Sequence, residues 1–173
     1  MTTSRPLTDE PLALDLVNTQ WTEGGMRHDL LATSEGISTW LYEAGFEDAG
    51  AMEEVRLALA DTREALLDAL EHPDREPQAL NAVLRKGRML AQIKVDGPTL
   101  TPEVPEAWRV AWLAAQNYLE LLGDAPERIR RCTHPACLLY FFDTSKNGTR
   151  RWCSMKTCGN RAKVQRFHQS HQS

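Results

Sequence analysis

Cys132, Cys137, Cys153 and Cys158 are the only cysteines in the chain, spaced C-x4-C-x15-C-x4-C. Two close pairs on either side of a hairpin-length segment are how a small module surrounds one tetrahedral metal with soft thiolates, and the expected cofactor is a single Zn2+. Four protein sulfurs leave that metal no open position for water or substrate, so the predicted role is structural. His134 lies between the first two cysteines, and His168 and His171 come later. They are alternative ligands, but two matched cysteine pairs favour an all-sulfur set. Two disulfides would be the other use of four cysteines. Against this, the opening MTTSRPLTDEP lacks the basic-then-apolar pattern of a secretory signal. No run reaches the roughly 18 apolar residues of a membrane span. A cytoplasmic protein with reduced thiols and no membrane is therefore expected.

The cysteines sit in the one strongly basic part of the chain. Residues 128–173 hold ten Lys or Arg against a single acid, Asp143, a formal charge of +9. Residues 1–127 hold ten basic and 23 acidic residues, a formal −13. Such a split points to an anionic partner for one part only, and duplex DNA is the expected one. Arg150 and Arg151 precede Cys153, and Lys163 and Arg166 share a face of a predicted terminal helix. These four are the candidate phosphate or base contacts. Asn160 and Arg161 lie against Cys158, where they would hydrogen-bond loop carbonyls or a metal-bound sulfur.

The elements that must position these groups emerge from local pattern. Leu138 to Phe142 reads as a short strand, and Thr144–Gly148 as a turn returning the chain through Thr149 to Trp152. A helix is predicted from about Gly159 to His168, with Val164 and Phe167 covering a small core. Loop, hairpin, loop and helix in that order make a treble-clef-like zinc finger, too small to fold without its metal. Upstream the chain reads as mainly α. Asp9-Glu10-Pro11 starts a helix over Leu12–Val17, although the alternating leucines also suit a strand. Ser34 caps a second helix that ends at Gly45. Helices are predicted over 51–71 and 76–87, then a β-hairpin turning at Asp96-Gly97. Pro105 opens a last helix with Trp108, Trp112, Ala115, Leu119 and Leu122 as its buried stripe. The division expected is a helical domain over 1–126 and a zinc module over 127–173. Asn18 and Thr19, polar groups after an apolar run, are candidates to line a small-molecule pocket, with capping as the competing use.

The stretch from Arg131-Cys132 to Cys158-Gly159-Asn160-Arg161-Ala162-Lys163 resembles the CGNR zinc finger, named for its Cys-Gly-Asn-Arg signature. Asp143–Gly148 and Arg150-Arg151-Trp152-Cys153-Ser154-Met155 extend the likeness, and no cysteine departs from the pattern. Leu12-Ala-Leu-Asp-Leu-Val-Asn-Thr19 is similar to the start of the ABATE domain, which precedes that finger in stress-induced transcription regulators. The resemblance implies a DNA-binding regulator whose helical domain senses a small-molecule or protein signal. A finger of this size offers few base contacts, so a homodimer is expected. The alternative readings are a protein-interaction or RNA-binding module, or a redox sensor that loses zinc on thiolate oxidation. The chain carries no G-x-S-x-G, H-E-x-x-H or phosphate-cradling glycine loop, so no enzyme is expected.

Overall fold

The computed structural model describes residues 5–46 and 52–164. Pro11 leads into α1 (Leu12–Val17), in which Ala13, Leu14, Asp15, Leu16 and Val17 are all buried. A six-residue helix buried on nearly every side has no amphipathic period, which is why its leucines mimic a strand. It lies against the two longest helices and against a strand of the finger.

Gln20–Glu23 (β1) and Met26–Asp29 (β2) form an antiparallel hairpin that the local pattern did not predict. Its two-residue loop is Gly24-Gly25, with φ of 59° and 82°, the left-handed geometry that a tight hairpin turn requires. Thr33, rather than Ser34, caps α2 (Ser34–Glu43), its hydroxyl accepting from the Gly36 amide at 3.1 Å. Gly36 packs directly on the preceding turn, since a Cβ there would meet the Leu30 carbonyl oxygen at 2.2 Å.

The helix expected over 51–71 is α3 (Met52–Glu71). The next is shorter than expected: α4 (Gln78–Leu84) begins after Pro77, whose φ/ψ lies outside the helical region. The second hairpin pairs β3 (Arg88–Lys94) with β4 (Gly97–Glu103), turning one residue earlier than predicted, at Val95-Asp96. A 3-10 turn over Glu106–Trp108 precedes α5 (Arg109–Asp124). Here the expected stripe is corrected. Trp112 and Ala115 are buried, but Leu119 and Leu122 are 50% and 41% exposed, and Val110, Ala111, Ala114, Tyr118 and Leu121 take the inner face. The helix turns its small residues, not its outer leucines, toward α1 and α3.

The fold is mainly α with three two-stranded antiparallel sheets. Its larger apolar cluster gathers Leu14, Trp40, Leu59, Leu66, Val110 and Tyr118 with Tyr140 of the finger. A smaller one joins Cys132, Leu139, Phe141, Cys153 and Cys158 to Trp21 of β1. Both clusters thus cross residue 127. No described helix is long and apolar enough to cross a membrane.

Candidate metal centre and its mounting

Ile129–Arg131 (β5) pairs antiparallel with Tyr140–Phe142 (β6), in the register Ile129↔Phe142 and Arg131↔Tyr140. Cys132 comes directly after β5, its amide donating to the Leu139 carbonyl at 2.9 Å. Cys137 closes the same loop, with its amide on the His134 carbonyl at 2.9 Å. The second pair comes from an irregular segment, Cys153 before and Cys158 within a π-type turn over Met155–Gly159. Residues 160–164 continue that turn as a helix.

The expected partner for the apolar strand was 149–152, and this is corrected: β6 pairs with β5 instead. The turn itself forms, with Gly148 at φ 59° and its amide on the Ser145 carbonyl at 3.1 Å. The returning chain after the turn is held by side chains rather than a ladder. The buried Asp143 carboxylate accepts from the Ser145 and Arg150 amides, both at 2.9 Å. The Ser145 side chain, with these amides, holds its carboxyl below the usual range. Thr133 adds a second tie through its amide and hydroxyl, both 3.0 Å from the Arg151 carbonyl.

The four Sγ atoms lie within 4.8 Å of one another, with Cys137 to Cys153 at 3.7 Å and Cys153 to Cys158 at 3.6 Å. Thiolates about 2.3 Å from a tetrahedral zinc stand about 3.8 Å apart, so the donor set fits that ion in type, number and spacing. Cys132, Cys153 and Cys158 are buried and Cys137 half-buried, and all four are free of disulfides. Hydrogen bonds from the Cys137 and Cys153 thiols hold Cys132 far below the usual thiol range. The same neighbour pushes Cys137 up to about 12 and Cys153 upward as well. Crowded sulfurs cannot share the negative charge unaided, and a divalent cation supplies the compensation. The His134 ring stands outside this set, buried, with Nδ1 accepting from the Ala136 amide at 3.3 Å.

Several candidate residues have other occupations. Arg150 is turned inward: its guanidinium donates to the Trp152, Phe142 and Cys153 carbonyls and to Glu10 at 3.3 Å, and stacks 4.2 Å over Phe141. That engagement replaces the phosphate contact expected of it. Arg151 is exposed, its guanidinium 5.5 Å over the Trp152 ring, and Lys163 is exposed. Arg166, Phe167, His168 and His171 lie outside the described residues. Asn160 Nδ2 donates to the Lys156 carbonyl at 3.1 Å, while Arg161 is exposed. Val164, expected to cover the small core, is 55% exposed.

Asn18 and Thr19 line no pocket, which corrects that expectation. Asn18 is buried and forms a two-point bond with Tyr140 of β6, Nδ2 to the carbonyl at 2.8 Å and Oδ1 from the amide at 2.9 Å. The Thr19 hydroxyl donates to the Leu16 carbonyl at 2.7 Å and accepts from Arg63 at 2.9 Å. Burial of polar groups demands such pairing, and pairing leaves nothing for a ligand. A cavity of about 500 Å3 lies nearby, lined by Arg5, Glu10, Asp15 and Glu43 among others.

Three residues that hold the finger went unread in the sequence. Trp21 supplies the finger's apolar cluster, and Asn18 clamps β6. Glu10 accepts from the Phe142 amide at 2.7 Å and from Arg150, while burial pushes its carboxyl upward. The Gly24-Gly25 pair could have placed Trp21 on a hairpin. For Glu10 the sequence carries no signal.

Residues 128–171 match the family model of the CGNR zinc finger. Residues 10–125 match that of the ABATE domain, whose description is "putative stress-induced transcription regulator". No curated protein matches the chain. With an ABATE match over most of its length and the finger next in order, the chain belongs to the ABATE family and carries a CGNR zinc finger at its C-terminal end.

Proposed function

We propose that this chain is a transcription regulator rather than an enzyme, and that its finger binds duplex DNA around one structural zinc held by Cys132, Cys137, Cys153 and Cys158. The observation that carries this reading is the distribution of cations on the finger. Arg151, Lys156, Arg161 and Lys163 are all exposed around a closed four-sulfur set, on a segment of formal charge +9. The zinc supplies no reaction here; it fixes the two loops and the helix start that carry those cations. Arg151 and Lys163 are the proposed phosphate contacts, with Arg166 beyond the described residues, and Asn160 shapes the loop beside Cys158. The helical part, through its grip on β6, is the proposed route by which a signal reaches the finger.

Duplex binding by the full zinc-loaded chain, titrated with salt, tests the proposal. Arg151→Ala and Lys163→Ala should each reduce the log–log salt slope by about 0.9. Chelation should abolish binding, and duplex DNA should compete better than single-stranded RNA. A salt-independent affinity, or slopes unchanged in both variants, would sink the DNA reading.

A second reading has its own support. Met155 and Val164, beside Cys158, are 52% and 55% exposed, and apolar groups next to a metal loop suit a protein partner. One zinc per chain without DNA binding would favour it.

A further inference from the structure

The hairpin of β3 and β4 projects an apolar face that nothing among the described residues covers. The register sets Met89 opposite Pro102, Ala91 opposite Leu100 and Ile93 opposite Pro98, and alternation along each strand puts all six on one side. Ile93 is 92% exposed and Leu100 64%, and Val95 at the turn is fully exposed. The opposite side, with Leu90, Thr99 and Thr101, is half-buried, so the hairpin presents its more apolar surface outward. Among the described residues on that outward face, none carries a charge. A two-stranded sheet is marginal by itself, and an apolar face on it marks a contact.

We propose that this face is where two copies of the chain meet, hairpin against hairpin across a two-fold axis. Three features favour a second copy. First, the helical part carries a formal −13, so copies repel one another over most of that surface and can approach closely only where charge is absent. Second, each end of the hairpin carries one charge of each sign, Lys94 and Asp96 at the tip, Arg88 and Glu103 at the base. A two-fold arrangement that lays tip over base sets each acid against a base, which makes the surface self-complementary. Third, β4 is closed to strand addition, because Pro98 and Pro102 lack the amide that an added strand would use. The edge is guarded and the face is left open. At these exposures the face amounts to about 500 Å2 per copy, which puts a dimer near the lower limit for specific association and its Kd in the micromolar range.

This inference goes beyond the DNA reading and does not rest on it, since its test contains no nucleic acid. Sedimentation equilibrium of the full zinc-loaded chain, from about 1 to 300 µM, should show the mass rising from 19.5 kDa toward twice that value. Ile93→Lys with Leu100→Lys, and Ile93→Glu with Leu100→Glu, should each weaken association at least tenfold while leaving the melting temperature and zinc content unchanged. Mixing the two variants should restore dimers, because opposite charges then face each other. A wild-type chain that stays monomeric throughout overturns the proposal, as does a pair of variants that associate like wild type.

Discussion

The helical part and the finger bury their interiors by different means. In the helical part, α1, α3 and α5 assemble a large cluster of aliphatic and aromatic side chains, and its buried charges meet as pairs, Arg5 with Asp15 at 2.9 Å and Arg63 with Asp29 at 2.7 Å. In the finger, half of the buried members of its cluster are cysteines, and the largest apolar one, Trp21, comes from the other part. Area explains the contrast. A segment of this size cannot remove enough apolar surface from water to offset chain entropy, so it depends on metal bonds and on a borrowed face. The finger is consequently mounted rather than tethered. Asn18, Trp21 and Glu10 each contact it from within the first 25 residues, so a truncated finger would lose all three.

Removing the metal should break the comparison most severely. Chelation, or Cys153→Ser, should cost the finger on the order of 10 kcal/mol and unfold it, while far-ultraviolet circular dichroism retains most helical signal. Trp21 fluorescence should respond, because its cluster is the one the metal organises. Loss of helical signal in parallel would show that the two regions fold as one.

Next come two substitutions that attack each region on the other's terms. Trp21→Ala lies in the helical part by sequence, yet it should destabilise the finger by about 3–5 kcal/mol, read as faster zinc release to a chromophoric chelator. Asp29→Asn should cost about 3 kcal/mol by leaving the buried Arg63 guanidinium without its counter-charge, with zinc affinity unchanged. Although burial opposes it, hydrogen bonds from Arg63 and Gln20 hold the Asp29 carboxyl below its ordinary 3.8. A depressed carboxyl contributes stability that is present above that value and lost as pH falls through the folded one. The stability gap between wild type and Asp29→Asn should therefore close as the solution is acidified below 3.8, in denaturant titrations at matched zinc content.

Smaller is Asn18→Ala, which orphans the amide and carbonyl of Tyr140 and should cost about 2 kcal/mol in urea unfolding. An unchanged midpoint would mean that water replaces the side chain and that the seam is looser than its geometry. Smallest in stability is Arg151→Ala, which should shift it by no more than about 0.5 kcal/mol and act on DNA affinity alone. Arg150→Ala, one residue away, should instead destabilise by about 2 kcal/mol through its lost charge-assisted bonds. Equal behaviour of the two neighbours would erase the distinction between an inward and an outward arginine.

Locally encoded features were legible without a structure. The cysteine spacing announced a four-sulfur site because ligand loops are short, and both the charge split and the Asn147-Gly148 turn are written in neighbouring residues. The long helix of 52–71 showed its period because it buries one side only. Features that failed share a different origin. The leucines of α1 have no readable period because a wholly buried helix needs none, and Leu119 and Leu122 fit a stripe that packing rotated toward smaller residues. Whether β6 pairs with β5 or with the returning chain depends on a buried aspartate that replaces the ladder.

By itself the sequence determined the metal-ligand set, the sign of the partner's charge and the helical character of the larger part, since each arises from residue types over short spans. Tertiary structure alone decided which arginine faces solvent, which tryptophan completes the finger, and that Asn18 is a clamp rather than a pocket wall. Those outcomes are set between residues 122, 132 and 140 positions apart. A contact across such a separation is chosen by burial and by the need to pair every buried polar group, and neither condition exists until the chain has folded.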